Sequence, residues 1–210
     1  MIVLMSAFLL LSAFSCGGGN KANSTSEQSE ETAVNVPQFD ADSAYLYVKN
    51  QVDFGPRVPN TKEHVACGNY LAGQLEAFGA QVTNQYADLI AYDGTLLKAR
   101  NIIGSYKPES KKRIALFAHW DTRPWADNDP DEKNHNTPIL GANDGASGVG
   151  ALLEIARLVN QQQPELGIDI ILLDAEDYGA PQFYTGQHKE EFWCLGSQYW
   201  ARNPHVQGYN

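Results

Sequence analysis

The sequence predicts an α/β protein with helices packed on both faces of a sheet, and three observations lead there. The runs Arg113-Ile-Ala-Leu-Phe-Ala118 and Ile168-Asp-Ile-Ile-Leu-Leu173 are continuously apolar rather than alternating, the pattern of strands covered on both sides. Between them, Ala146–Val159 (ASGVGALLEIARLV) is apolar at helical spacing. Strand, loop, helix and strand over this length make a βαβ unit. A hydrophobic share of 43% in 210 residues is enough for an ordinary core, which excludes global disorder.

In chain order, residues 1–16 come first, an uncharged apolar run ending at Cys16. The run is shorter than the roughly 20 residues a membrane span needs and suits the h-region of an export signal. With Gly17-Gly18-Gly19 following Cys16, it resembles a bacterial lipoprotein signal, in which that cysteine becomes the lipidated first residue. No Lys or Arg precedes the run, and Phe14 is bulky for such a signal. Residues 17–38 (GGGNKANSTSEQSEETAVNVPQ) have little to bury and read as a flexible tether. A folded region over residues 39–210 follows, and the protein is expected to be exported, periplasmic or held at a membrane by a lipid on Cys16.

Asp40 or Asp42 caps a first helix that breaks at Phe54-Gly55-Pro56. Asn60 or Thr61 caps a second, running through Leu75 to about Phe78 and closed by Gly79. Gln81–Tyr92, rich in β-branched and aromatic residues, reads as one or two strands, and Asn101–Gly104 as another short one. The βαβ unit completes the list.

Composition narrows the function. Against 25 Asp and Glu there are only 15 Lys and Arg, a net charge of -10, which argues against a nucleic-acid backbone as partner. The three cysteines, Cys16, Cys67 and Cys194, lack the spacing of a zinc ribbon. Pairing of Cys67 with Cys194 and burial of each as a free thiol both stay open. Gly145-Ala-Ser-Gly148-Val-Gly150 has its glycines in the wrong order for a dinucleotide fingerprint, and no Walker A motif occurs. Ser147 lacks a nucleophile elbow.

Polar residues gather where the buried strands end: Ala118-His119-Trp120-Asp121-Thr122-Arg123-Pro124, Gly141-Ala-Asn-Asp144-Gly145 ahead of the long helix, and Asp174-Ala-Glu176-Asp177-Tyr-Gly179. In an open α/β sheet, ligands sit outside the carboxyl ends of the strands, so one crevice can collect all three. An imidazole with several carboxylates is a hard donor set suited to zinc. The helix N-terminus behind Asp144 favours its ionised form, and in His-x-Asp the Asp121 carboxylate can hold the His119 imidazole. Each group also has a bland reading, as a strand-end hydrogen bonder, a helix cap or a solvated turn.

These blocks, with Phe54-Gly55-Pro56-Arg57 and Asn101-Ile-Ile-Gly104, resemble the zinc aminopeptidase-like superfamily, peptidase family M28. Within it the chain is most similar to the glutaminyl-peptide cyclotransferases, or glutaminyl cyclases, of Bacteroides-type bacteria. The His-Trp-Asp-Thr-Arg-Pro-Trp block, the Asn/Asp-rich loop after it and Glu-Asp where aminopeptidases usually carry Glu-Glu support that choice. The resemblance implies a three-layer α/β/α fold with a mostly parallel, mixed central sheet. It implies one zinc ion, held by Asp144 and Asp177, with Glu176 as the catalytic proton carrier. His119 matches a histidine that binds the second metal in two-zinc aminopeptidases and lies beside the site in the cyclases, near Asp121. Trp193 is a candidate for the wall of the substrate pocket. The implied substrates are peptides or proteins with N-terminal glutamine, converted to pyroglutamate with release of ammonia. A two-zinc aminopeptidase and a non-catalytic surface lipoprotein are the alternatives. His64, His135, His188 and His205 match no motif and read as surface or structural. The resemblance also leads to the expectation that residues 39–210 are the front part of a longer domain, with a further acidic residue and a late histidine ligand beyond Asn210.

Overall fold

The computed structural model describes residues 35–209. The expectations placed on residues 1–16, Cys16 included, and on most of the tether lie outside the described residues. Pro37 opens the unit that carries every element described below.

Four helices and four strands follow one another as α1 (Ala41–Val52), α2 (Lys62–Ala77), β1 (Gln81–Ile90), β2 (Leu96–Tyr106), β3 (Arg113–His119), α3 (Ala146–Gln162), β4 (Gly167–Leu173) and α4 (Leu195–Arg202). The helix starts follow the capping logic. The Asp40 carboxylate accepts from the N–H groups of Asp42 and Ser43, and the Thr61 hydroxyl accepts from that of His64, satisfying donors that a helix start otherwise leaves unpaired.

The strands hydrogen-bond in the order β1-β2-β4-β3. Gln81–Ile90 forms a single strand and turns back as a hairpin, so β1 and β2 are antiparallel, from Gln81 opposite Ser105 to Ile90 opposite Leu96. β2 is antiparallel to β4, while β3 and β4 are parallel, as a βαβ crossover requires. The sheet is therefore mixed. Within the described residues its parallel pairing is confined to β3–β4.

Side-chain alternation sends the two faces of the sheet to different partners. Ile102, Tyr106, Ile168, Ile170 and Leu172 pack with Leu71 and Leu75 of α2 and Val149, Leu153 and Ala156 of α3. On the opposite face, Ile103, Ile171 and Leu173 pack with Trp200 of α4. Layers of helix, sheet and helix result, as expected. β4 is buried throughout, while β3 stands last in the strand order of the described residues, with Ile114 and Phe117 exposed.

α1 rides outside α3. The Asp40 N–H donates to the Glu154 carboxylate at 2.9 Å, and buried Gln51 donates to the Ala146 carbonyl at the start of α3 at 3.1 Å. Those contacts fix the helix whose N-terminus faces the candidate site.

Candidate active site

Parallel pairing of β3 and β4 brings their carboxyl ends to the same edge of the sheet, and the N-terminus of α3 returns to it. His119 is the last residue of β3. Its Nε2 lies 2.9 Å from the Asp144 carboxylate and its Nδ1 3.6 Å from that of Asp121. Burial works against charge on this imidazole. The carboxylates of Asp121, Asp144 and Asp177 outweigh burial and raise it to about 9.

Asp144 does not cap α3. The N-cap is Gly145, at φ 89°, where a Cβ would come within 2.9 Å of the Asp121 carbonyl oxygen and 3.3 Å of the His119 ring. Only glycine combines that backbone conformation with so close an approach. The turn leaves the Asp144 carboxylate 59% exposed and pointing at His119.

The third segment leaves β4 through Asp174 into a sharp turn. Ala175, wholly buried, takes the left-handed conformation at φ 54°, a strained choice for a non-glycine residue. Two hydrogen bonds clasp the turn from the start of α4: Cys194 N–H to the Glu176 carbonyl at 2.9 Å and Leu195 N–H to the Ala175 carbonyl at 3.1 Å. Asp121, beside the His119 ring at 3.6 Å, also supports this turn. Its fully buried carboxylate accepts from the backbone N–H of Glu176 at 3.1 Å and of Asp177 at 3.2 Å. It thereby fixes both acidic residues at once.

The Glu176 carboxylate is held by Ser197, whose N–H and hydroxyl each donate at 2.7 Å. Burial nonetheless pushes the Glu176 carboxyl above its ordinary value, with the Ser197 donors opposing. Asp177 is pushed up to about 7, first by burial and then by the charges of Asp121 and Asp144. Its buried Oδ2 has no hydrogen-bond partner, a costly condition for a carboxylate oxygen.

Among the described residues, no three His, Cys, Asp or Glu side chains already converge as a metal cage. Asp144 and Asp177 still suit a divalent cation. One presents an exposed carboxylate and the other an orphaned buried oxygen, both hard oxygen donors beside a histidine. Trp193 lies next to this cluster as a buttress. Its ring packs on Gly179, where a Cβ would fall 2.0 Å from the ring, and the Arg123 guanidinium sits 4.8 Å over it.

Two arginines escaped the sequence reading of the site. Arg57, fully buried, donates to the carbonyls of Trp120 at 3.4 Å, of Gly141 at 2.9 Å and of Leu140, joining the β3 exit to the loop before Asp144. Arg123 forms a two-pronged pair with Asp127 at 2.6 and 2.7 Å and donates to the Asp177 carbonyl at 3.2 Å. Ser197 also went unassigned; a small polar residue in the first turn of a helix was its only local signal. Of the four unmatched histidines, His64 and His205 are structural. His64 is buried against Asp174, and His205 packs against Trp200 and Tyr209 near Asp169. His135 and His188 bond the carbonyls of Asp129 and Tyr184 in the outer loops. Both described cysteines are free, Cys67 buried and Cys194 exposed.

Residues 101–210 match the sequence profile of peptidase family M28. A solved structure, Bacteroides thetaiotaomicron glutaminyl cyclase bound to N-acetylhistamine, is 94% identical with a TM-score of 0.82, covering 84% of this chain and 60% of that one. A second, described as a leucine aminopeptidase precursor from Bacteroides thetaiotaomicron VPI-5482, is likewise 94% identical with a TM-score of 0.82, over 84% and 61%. Among curated sequences, the uncharacterized Escherichia coli (strain K12) protein YfbL is 35% identical over 115 residues, 55% of this chain and 32% of its own length. The chain thus spans about 60% of the length of these solved structures and about a third of that curated relative.

Proposed function

The chain belongs to peptidase family M28, and from that premise we propose that the protein is a zinc-dependent glutaminyl-peptide cyclotransferase. The observation that carries the reading is the half-buried Glu176 carboxylate, clamped by Ser197 one residue from Asp177 and across the crevice from Asp144. Its raised affinity for a proton suits a group that must take one up and give it back. The similarity to a solved glutaminyl cyclase at 94% identity supports the same reading.

Asp144 and Asp177 would hold the zinc. When bound, the metal supplies Lewis-acid polarisation of the glutamine γ-carbonyl. Glu176 accepts a proton from the substrate α-amine as its nitrogen bonds to the carbonyl carbon of the side-chain amide. The bond from that carbon to the side-chain nitrogen then breaks, and Glu176 returns the proton to the departing ammonia. Nucleophile and electrophile belong to one residue, so the crevice has only to hold a bent conformer. The Asp121 carboxylate keeps Glu176 and Asp177 in place throughout.

Glu176→Gln in the full-length protein should cut ammonia release from an N-terminal glutamine peptide roughly a hundred- to ten-thousand-fold, with zinc content unchanged. Unaltered turnover would remove Glu176 as the proton carrier.

One observation favours a second reading, a two-zinc aminopeptidase: His119 stands 2.9 Å from Asp144, placed to serve a second metal. Hydrolysis of leucine peptides at two zinc ions per chain would establish it in place of cyclisation at one.

We also propose that the protein is exported by its first 16 residues and anchored through a lipid on Cys16. Replacing Cys16 by Ser should shift it from the membrane fraction to the soluble periplasmic one.

A further inference from the structure

Beside α2, a cavity of about 190 Å3 is lined by His64, Asn69, Tyr86, Lys98, Arg100 and Trp120. None of these residues takes part in the proposed chemistry, and the Arg100 side chain has no charged partner. Its Nε donates to Asn84 at 2.8 Å and its Nη1 to Asn69 at 2.7 Å, both neutral amides. Among the described residues, Nη2 donates to nothing and no carboxylate comes within ion-pair distance of the guanidinium. That is unexpected in a chain with 25 acidic against 15 basic residues.

The buried part of the lining is already packed and closed. The His64 ring stacks on Trp120 at 4.3 Å, and its Nε2 bonds both oxygens of Asp174 at 2.8 and 2.9 Å. The buried Nδ1 has no partner. The cavity therefore combines a guanidinium with unused donor capacity and the exposed apolar side chains of Val65 and Tyr86, set against a closed His64–Trp120 wall. Lys98 adds a second cation, tied only to exposed Asp88, a type of pair that contributes little and is easily exchanged.

We infer that this cavity is a second ligand site, which takes a carboxylate carried on a small apolar or aromatic body. The guanidinium fork matches the two oxygens of a carboxylate, and the exposed Val65 and Tyr86 side chains cover the rest. At about 190 Å3 the space is below the range of roughly 300–1,000 Å3 typical of drug-sized ligands, so the body is small. The site also touches the support of the active turn. The Asp174 carboxylate that holds His64 accepts the N–H of Arg100 at 2.6 Å and of Ala175 at 2.7 Å. Two sources offer this chemistry, a free small acid and the C-terminal carboxylate of a peptide.

The test is titration of the full-length, zinc-loaded protein with benzoate, followed by calorimetry and by tryptophan fluorescence, since Trp120 forms part of the wall. Saturable binding that Arg100→Lys weakens at least about tenfold is the expected result. That variant keeps the charge and loses only the fork. Arg100→Gln, with thermal melts of both variants, separates lost binding from lost folding. A short peptide ending in phenylalanine, compared with its C-terminal amide, distinguishes the two sources. Preference for the free-acid form supports the peptide terminus, and binding of benzoate alone supports the free acid. Absence of binding by either probe would overturn the inference. So would benzoate binding that ignores Arg100 and disappears with zinc, or binding of inorganic phosphate in place of both probes.

Discussion

Single residues at the crevice act mainly by fixing backbone. Gly145 lets the chain turn between Asp144 and α3 with no side chain to strike Asp121 or His119. Gly145→Ala should therefore cost about 1–3 kcal/mol of stability and weaken zinc binding, as denaturant titration and metal competition would measure. A wild-type zinc affinity in that variant would mean the turn does not set Asp144. Arg57 contributes in a different way, as a buried cation neutralised by carbonyl dipoles. Truncating it to Met strands those carbonyls and should destabilise the protein by a few kcal/mol, far more than a surface arginine would. The candidate residues His119, Glu176 and Asp177 were legible in the sequence because they stand at strand ends, and Asp144 because it stands just ahead of α3. Arg57, Ser197 and the His64–Asp174 pair were not. Their partners lie 21 to 110 residues away in the chain, and no local pattern records such a meeting.

At the level of elements, β4 carries a polar residue in the middle of an otherwise apolar strand. Asp169 is fully buried, facing Arg113 at 2.6 and 2.8 Å, Ser105 at 2.5 Å and Tyr209 at 2.9 Å. Burial alone would raise its carboxyl, but these donors, with His205 nearby, hold it well below the usual carboxylate range. A depressed carboxyl stabilises the fold fully above its unfolded value near 3.9 and loses that contribution as pH falls below it. Asp169→Asn should accordingly be less stable than wild type at neutral pH. The gap between their urea midpoints should narrow once pH drops under about 4; a gap that widened there would contradict the ion-pair account. α1, α2 and α3 were legible nearly to their ends, because Asp40, Thr61 and Gly79 are local signals that act locally, whereas α4 was not assigned. β2 was recognised only at Asn101–Gly104, although it runs from Leu96 to Tyr106. Lys98 and Arg100 interrupt the apolar run on the face turned toward α2, and only the pairing with β1 shows that they belong to the same strand.

For the molecule as a whole, the crevice gathers like charges that the fold alone does not balance. Asp121, Asp144, Glu176 and Asp177 stand together, with His119 as the nearest cation. Zinc should therefore act as a structural ligand as well as a catalytic one. Saturating the full-length protein at about a thousand times the dissociation constant should add about 4 kcal/mol of stability, seen as a higher melting temperature that a chelator reverses. An unchanged melting temperature would place the metal elsewhere. The α/β class was readable because a βαβ crossover leaves a long, regular imprint. Glu176 and Asp177 are neighbours on one turn, and a single carboxylate supports both of their amides. The spacing between the proposed proton carrier and the proposed metal ligand is thus one peptide unit, about 3.8 Å between α-carbons, a ruler that no loop movement can stretch. Over evolutionary time a fold gauged in this way can explore new reactions by exchanging one acidic side chain for a longer or shorter one, but not by sliding its base away from its metal.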